Sequence, residues 1–283
     1  MHIAAHDFDA VEVFATRAHF DYHDANAIAQ LGEWLSDTSL TLHSMHAPIF
    51  DAMKGGKWVG SFSNASGDEQ RRKAAIAETQ AALQVAAQLP YRFLVVHLGM
   101  PFDSAQGKPP GERMVSGDPS TSSGSSRATS RDDNQPGAAR RSVEEIAALA
   151  AAVNVKVAIE VIPNPLSSAA SLVSLIEDDL DGLDVGICLD YGHAHLMGDL
   201  GEAIETLSGH LWTTHVHDNR GKQDDHLVPF AGSINWDLAI METQKIGYDG
   251  TLMLEVADTG DPVGVLRRSS AARERLEKTF VTF

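Results

Sequence analysis

A single cysteine, Cys188, stands in a chain of 283 residues, so no internal disulfide can staple the fold, which fits a reducing compartment. The sequence also lacks any run of about 18 apolar residues, the length a membrane-spanning helix needs. Its first residues, Met1 to Phe14, have no basic stretch leading into an apolar one, so no secretory signal is read there. A cytoplasmic protein is the expectation. Basic residues are few: 22 Lys and Arg face 39 Asp and Glu, a formal charge of −17. Such a chain is poorly suited to gripping phosphate backbones over a wide surface, although a local basic groove or a bound metal would invert the field at one place. Neither nucleic acid nor membrane is the expected partner. A small molecule is, and a homo-oligomer is left open. Aromatics make up only 6% against 43% hydrophobic residues, a globular balance in which alanine builds much of the helix.

What the sequence does have is alternation. Short β-like runs at Val11–Ala15, Thr41–His46, Phe93–His97, Lys156–Val161, Val185–Asp190, Leu211–His217 and Thr251–Val256 are separated by helical stretches. Asp68–Leu89 carries Ile76, Leu83, Ala86 and Leu89 near helical spacing. Ser142–Val153 opens with Ser142 and Glu145 at capping-box spacing. Apolar strands alternating with helices imply a parallel sheet covered by helices. The α/β reading is a (β/α)8 TIM-barrel-like single domain over 1–283, with an open doubly wound sheet as runner-up. Eight strands are needed and seven are counted. Met1–Asp7 reads like the tail of a helix, so the first strand/helix unit is expected to be missing at the N-terminus. Asp103–Arg141 is rich in Ser, Gly, Pro and Arg and is expected to be a disordered insertion within the domain.

The polar residues sit at the strand ends. Runs of apolar residues finish on His46, His97, Glu160 and Asp190, with His193 just beyond; the next two deliver His215 and Glu255. In parallel α/β barrels the C-terminal ends of the strands carry the active site. Period-two alternation puts Leu42, Ser44 and His46 on one face, likewise Phe93, Val95 and His97, Ala158 with Glu160, and Met253 with Glu255. A lone buried imidazole or carboxylate is as often a satisfied core group as a ligand. Six at corresponding positions point to a site. Asp224 and His226, at D-x-H spacing, can converge from one extended segment. Histidine and carboxylate without thiolate favour Zn2+ or Mn2+ over Mg2+.

The motifs His46-Ala-Pro48, Val95-Val-His-Leu-Gly99, Ile159-Glu-Val161, Cys188 to His195 (CLDYGHAH), His215 to Asn219 (HVHDN), Asp224 to Pro229 (DDHLVP) and Leu254-Glu-Val256 resemble, in order, the xylose-isomerase-like TIM-barrel superfamily. That group includes sugar isomerases and epimerases and the endonuclease IV-type AP endonucleases. The resemblance implies a first strand that the count above does not find. It implies a metal set of Glu160, Asp190, His215 and Glu255, common to the sugar enzymes. The endonuclease-type set adds His46, His97, His193, Asp224 and His226, allowing one to three ions bridged by Glu160.

Two chemistries compete. In one, a metal holds adjacent oxygens of a sugar, sugar phosphate or polyol and polarises a carbonyl, while Glu160 and Glu255 remove and return a proton. In the other, several metals clamp a phosphodiester and generate hydroxide. The acidic chain favours the first, as does the absence of a basic, aromatic-interleaved loop after His46-Ala-Pro48. A barrel that only binds a ligand is the third reading. Arg220, His217 and Trp58 are candidate substrate contacts, with Lys222 beside Arg220 and Phe62 in the same Gly-rich loop as Trp58; His217 is equally placed to support the ligands from behind. His43 is expected to face helices or solvent, His195 to support the Asp190–His193 region, and Trp212 to serve packing. Glu12 would point into the barrel if Val11 and Val13 face the helices, and the sequence assigns it no role.

Overall fold

The computed structural model describes residues 2–54, 57–101 and 132–282; the bulk of the expected insertion, 102–131, lies outside the described residues. Seven parallel strands form one sheet: β1 (Ala10–Phe14), β2 (Thr41–His46), β5 (Phe93–Val96), β6 (Lys156–Glu160), β7 (Val185–Asp190), β8 (Leu211–Val216) and β9 (Leu252–Leu254). They are neighbours in that order, curled into a nearly closed TIM-type barrel with β1 and β9 as its free edges. The seven strands read from the sequence are these seven. Between β1 and β9, where the eighth strand of a closed barrel would lie, is a seam. A cavity of about 510 Å³ opens there, lined by Phe8, Val11, Leu252, Leu254, Leu276 and Phe280 among others.

Helices α1 (Ala25–Thr38), α2 (Glu69–Gln84), α3 (Pro136–Ala151), α4 (Ala169–Ser174), α5 (Tyr191–Met197), α6 (Leu200–Thr206), α7 (Trp236–Lys245) and α8 (Pro262–Thr282) follow the strands. Most start where the sequence offers a capping oxygen. Asp24 accepts from the Asn26 amide, and Asp68 from the amides of Gln70 and Arg71. Leu94, Val96, Val157, Ile159, Ile187, Leu189 and Val216 point outward into one core shared with the helices. The alternate residues Val95, Ala158 and Cys188 form a small apolar floor inside the barrel. This is the period-two pattern of strands buried on both faces.

The structure corrects the sequence reading in three places. Helix α3 begins at Pro136, not Ser142: proline occupies the first turn, where its missing N–H costs nothing. Ser142 is buried mid-helix and accepts a hydrogen bond from Arg72 at 3.1 Å, so this helix begins inside the stretch expected to be an insertion. Second, the Gly-rich stretch after His46-Ala-Pro48 flanks an antiparallel pair, β3 (Phe50–Lys54) and β4 (Lys57–Ser61). Third, β1 pairs with β2 through a bulge: Val11 faces Leu42 but Glu12 faces Ser44. Leu42 therefore joins the outer core, while His43 turns inward, its Nε2 3.3 Å from the Thr213 hydroxyl and its ring against Phe93. A matching shift between β7 and β8 leaves Trp212 unpaired. Its indole lies where a side chain on Gly186 would be, so position 186 admits glycine alone.

Candidate metal centre

Each strand end fixes its polar residue through local structure. Asp190 closes β7 and caps α5, accepting from the His193 amide at 2.7 Å. One carboxylate thus starts a helix and holds His193 at its first turn. Donation from His46 Nδ1 to the Ala47 carbonyl (2.8 Å) turns Nε2 inward. His226 does the same through Nδ1 to the Glu255 carbonyl at 3.1 Å. A carbonyl only accepts, so these contacts set the ring tautomer.

All nine residues expected to be ligands lie in this pocket, in three groups whose offered atoms fall within 4.8 Å of one another: His46, His97 and Glu160; Glu160, Asp190, His215 and Glu255; and His193, His217, Asp224 and His226. Glu160 joins the first two. Its Oε2 lies 3.0 Å from His46 Nε2 and 3.1 Å from His97 Nε2, and its Oε1 lies 3.3 Å from His193 Nδ1 and 3.4 Å from His215 Nδ1. His215 Nδ1 is also 3.0 Å from Glu255 Oε2. Asp224 Oδ2 lies 3.1 Å from His193 Nε2 and 3.0 Å from His226 Nε2.

Burial alone would neutralise these groups, because taking an ion out of water costs several kcal/mol. Mutual attraction overrides it. Burial works against the Glu160 carboxylate, yet His97, His215 and His193 hold it well below the usual range. Glu255 is held low against burial by His215 and His226, and Asp224 by His193 and His226. In turn, burial opposes charge on His226, but Glu255 and Asp224 raise it to about 9. His193 and His215 are also raised against burial, His193 chiefly by Asp190 and Asp224, His215 by Cys188, Glu12 and Glu160. His97 is lowered, burial being the largest cause.

The residues fit a metal. Among the described residues, eleven buried polar side-chain atoms make no aligned hydrogen bond, and six of them belong to this pocket: His97 Nδ1, His193 Nδ1, both nitrogens of His215, Asp224 Oδ1 and Glu255 Oε2, several of which approach an opposite charge without that alignment. Buried polar atoms are otherwise paired. Nitrogen and oxygen donors without thiolate suit Zn2+ or Mn2+.

The expected substrate contacts fare differently. His217 is fully buried; its Nε2 meets Asp190 at 2.9 Å and its ring stacks on His226 with centroids 3.9 Å apart. It braces the ligands and is not offered to the opening. Gly192 makes room for it, since a Cβ there would fall 2.0 Å from the His217 ring. Arg220 is exposed and lies 3.7 Å from Asp225. Trp58 is 40% exposed on β4 and stacks on Phe50 at 5.6 Å. His195 bonds to the Ser233 hydroxyl at 2.9 Å.

Two residues were given no role by the sequence reading. Asp218, fully buried, accepts four hydrogen bonds: from the amides of Asn219 (2.9 Å), Gly232 (3.0 Å) and Ile234 (3.1 Å) and from Trp236 Nε1 (2.9 Å). It ties down the loop that carries Asp224 and His226. Glu12 lies inside the barrel against His215. Its signal was the Val11-Glu12-Val13 alternation, which gives a direction but no partner.

A family model described as "Xylose isomerase-like TIM barrel" matches residues 2–278. An uncharacterized protein of Methanocaldococcus jannaschii is 27% identical over 268 residues, covering 92% of this chain and 79% of that protein. Among solved structures, a D-tagatose 3-epimerase-like protein matches with a TM-score of 0.73 at 24% identity, covering 99% of this chain and 91% of that one. The IolI protein with a bound zinc atom matches at 0.69 and 16% identity, covering 100% and 91%. At such identities the structural likenesses speak for the fold.

Proposed function

We infer, since this chain belongs to the xylose isomerase-like TIM-barrel family, that its pocket is the active site of a divalent-metal-dependent isomerase or epimerase for a small sugar, sugar phosphate or polyol. The observation that carries the reading is the pair Glu160 and Glu255, both held ionised and both against His215 Nδ1, at 3.4 and 3.0 Å. Two ionised carboxylates around one point can take a proton from a carbon and return it. Glu255 is the better placed acceptor, because its side chain remains 20% exposed against 1% for Glu160. Glu160 is enclosed by four histidines, which suits a bridging ligand that returns the proton after rearrangement.

Glu160, Asp190, His215 and Glu255 would hold the principal ion. Bound there, a divalent ion supplies Lewis acidity toward adjacent substrate oxygens and acidifies the neighbouring C–H. The likeness to a D-tagatose 3-epimerase-like protein and to a zinc-bearing one supports this reading. Trp58 offers a face on which a sugar could stack.

One observation favours a second reading: three ligand groups meet here, enough for a multinuclear phosphodiesterase of the AP-endonuclease type. Incubation with ketoses in deuterium oxide tests the first reading. Deuterium at the carbon beside the carbonyl is expected, together with its loss in Glu255→Gln. No exchange, with cleavage of an abasic-site DNA duplex and two or three ions per chain, reverses the order.

A further inference from the structure

Glu12 is a buried acid that the proton-transfer chemistry does not use. Its side chain, 6% exposed, rises from β1 into the barrel interior, and its two oxygens have different neighbours. Oε2 accepts from the Ser44 hydroxyl at 2.6 Å. Oε1 makes an ion-pair contact with His215 Nε2 at 2.9 Å, close enough for the ring to be drawn to it although the N–H is not aligned on the oxygen as a hydrogen bond. The other ring nitrogen of His215, Nδ1, faces Glu160 and Glu255. Glu12 therefore stands on the far side of the imidazole from the pocket, and it is not among the groups able to share an ion.

The backbone is shaped for this contact. A regular ladder would set Glu12 beside His43, but the bulge between Val11 and Glu12 sets it beside Ser44, whose hydroxyl then pins the carboxylate. The shift between Ile187 and Cys188 leaves Trp212 unpaired and brings Asp190 level with His215 on the strand at the other end of the contact. Bulges of this kind re-aim side chains beside active sites.

We propose that Glu12 is a positioning residue that holds His215 by Nε2, orienting the ring so that Nδ1 is presented to an ion shared with Glu160, Asp190 and Glu255. This rests on the metal reading above. A ligand imidazole normally offers its second nitrogen to such an acceptor, which fixes the tautomer, orients the ring and strengthens the donor.

The test uses the full chain, stripped of metal and labelled with 15N-histidine. The His215 Nδ1 resonance is followed as Zn2+ is titrated in against a competing chelator. Glu12→Ala should weaken this Zn2+ site roughly 10–100-fold, and the His215 Nε2 proton, protected in the Zn2+-loaded parent, should exchange freely with solvent. Glu12→Gln keeps an acceptor oxygen and should fall between the two. Ser44→Ala removes only the hydroxyl that pins the carboxylate; it should weaken the site by about 2–5-fold and serves if Glu12→Ala fails to fold. Parent-like affinity and parent-like proton protection in Glu12→Ala, or in Ser44→Ala where that variant stands in, would overturn the proposal. A parent chain that takes up no Zn2+ overturns the metal reading instead, so the two failures are distinguishable.

Discussion

Replacing Asp218 by asparagine removes one acceptor oxygen from the point where the loop bearing Asp224 and His226 is tied down. The wild-type carboxylate accepts two pairs of N–H donors: Asn219 and Ile234 on Oδ1, Gly232 and Trp236 on Oδ2. A carboxamide satisfies one pair and turns its own N–H groups on the other. Two donors are then left without a partner inside a fully buried site, at about 1–3 kcal/mol each. The expected loss is about 4 kcal/mol, a large part of the ~5–15 kcal/mol that typically separates folded from unfolded states. With a urea m-value of ~2–3 kcal/mol/M for a chain of this size, the midpoint should fall by roughly 1.5 M with m unchanged. The loop should also lose definition, so any ion bound at His193, Asp224 and His226 should leave before one bound at Glu160 and His215. A midpoint within about 0.3 M of the parent would refute the reasoning.

Gly192→Ala puts a methyl 2.0 Å from the His217 ring; it should displace that ring from Asp190 and cost ~1–3 kcal/mol by overpacking, readable by thermal melts. Glu160→Gln removes the carboxylate shared by two ligand groups, and proton-transfer turnover should fall by ~10²–10⁴-fold in steady-state kinetics on the best ketose. Glu69 is lowered to about 2, first by its hydrogen bond from Arg72. Its contribution is therefore present above its ordinary 4.5 and fades as pH falls from 4.5 toward 2. The stability gap between parent and Glu69→Gln should close across that window in acid titrations of melting temperature, and a constant gap would contradict the assignment. Zn2+ or Mn2+ at a hundredfold excess over Kd should add ~2.7 kcal/mol, or about 5–10 °C in Tm. Calorimetry of stripped and reloaded protein checks this.

The convergence of histidines and carboxylates at the strand ends was legible because it rests on local rules. Period-two alternation decides which residues of a strand face inward, and the last inward position of β6, β7 and β8 carries Glu160, Asp190 and His215. The helix start at Asp68 was equally local. What stayed hidden depends on a second strand. The bulge that turns His43 inward is a property of the β1–β2 pair, and β2 alone reads as a regular alternation. The start of α3 was concealed because Pro136-Gly137 closes a polar stretch with almost no large apolar residue, so no periodic pattern marks the first turn. The β3–β4 pair looked like a loop because Gly55, Gly56 and Gly60 interrupt its apolar residues in the sequence. For His217 the sequence left a supporting role and a substrate contact open, because adjacency to His215 says nothing about Gly192, whose missing side chain lets the ring sink beneath the site.

The open seam gives this barrel the mechanics of a split ring. In a closed barrel the hydrogen-bonded hoop resists any change in girth, whereas here the hoop is cut between β1 and β9. Side chains cross the cut at the height of the pocket, from Glu12 on β1 through His215 to Glu255 just past β9. Whatever draws His215 and Glu255 together at the pocket pulls on both lips of the ring. Occupancy and girth are thereby linked, and amide exchange along β1 and β9 should slow when the centre is filled while the middle of the sheet, β6 and β7, stays unchanged.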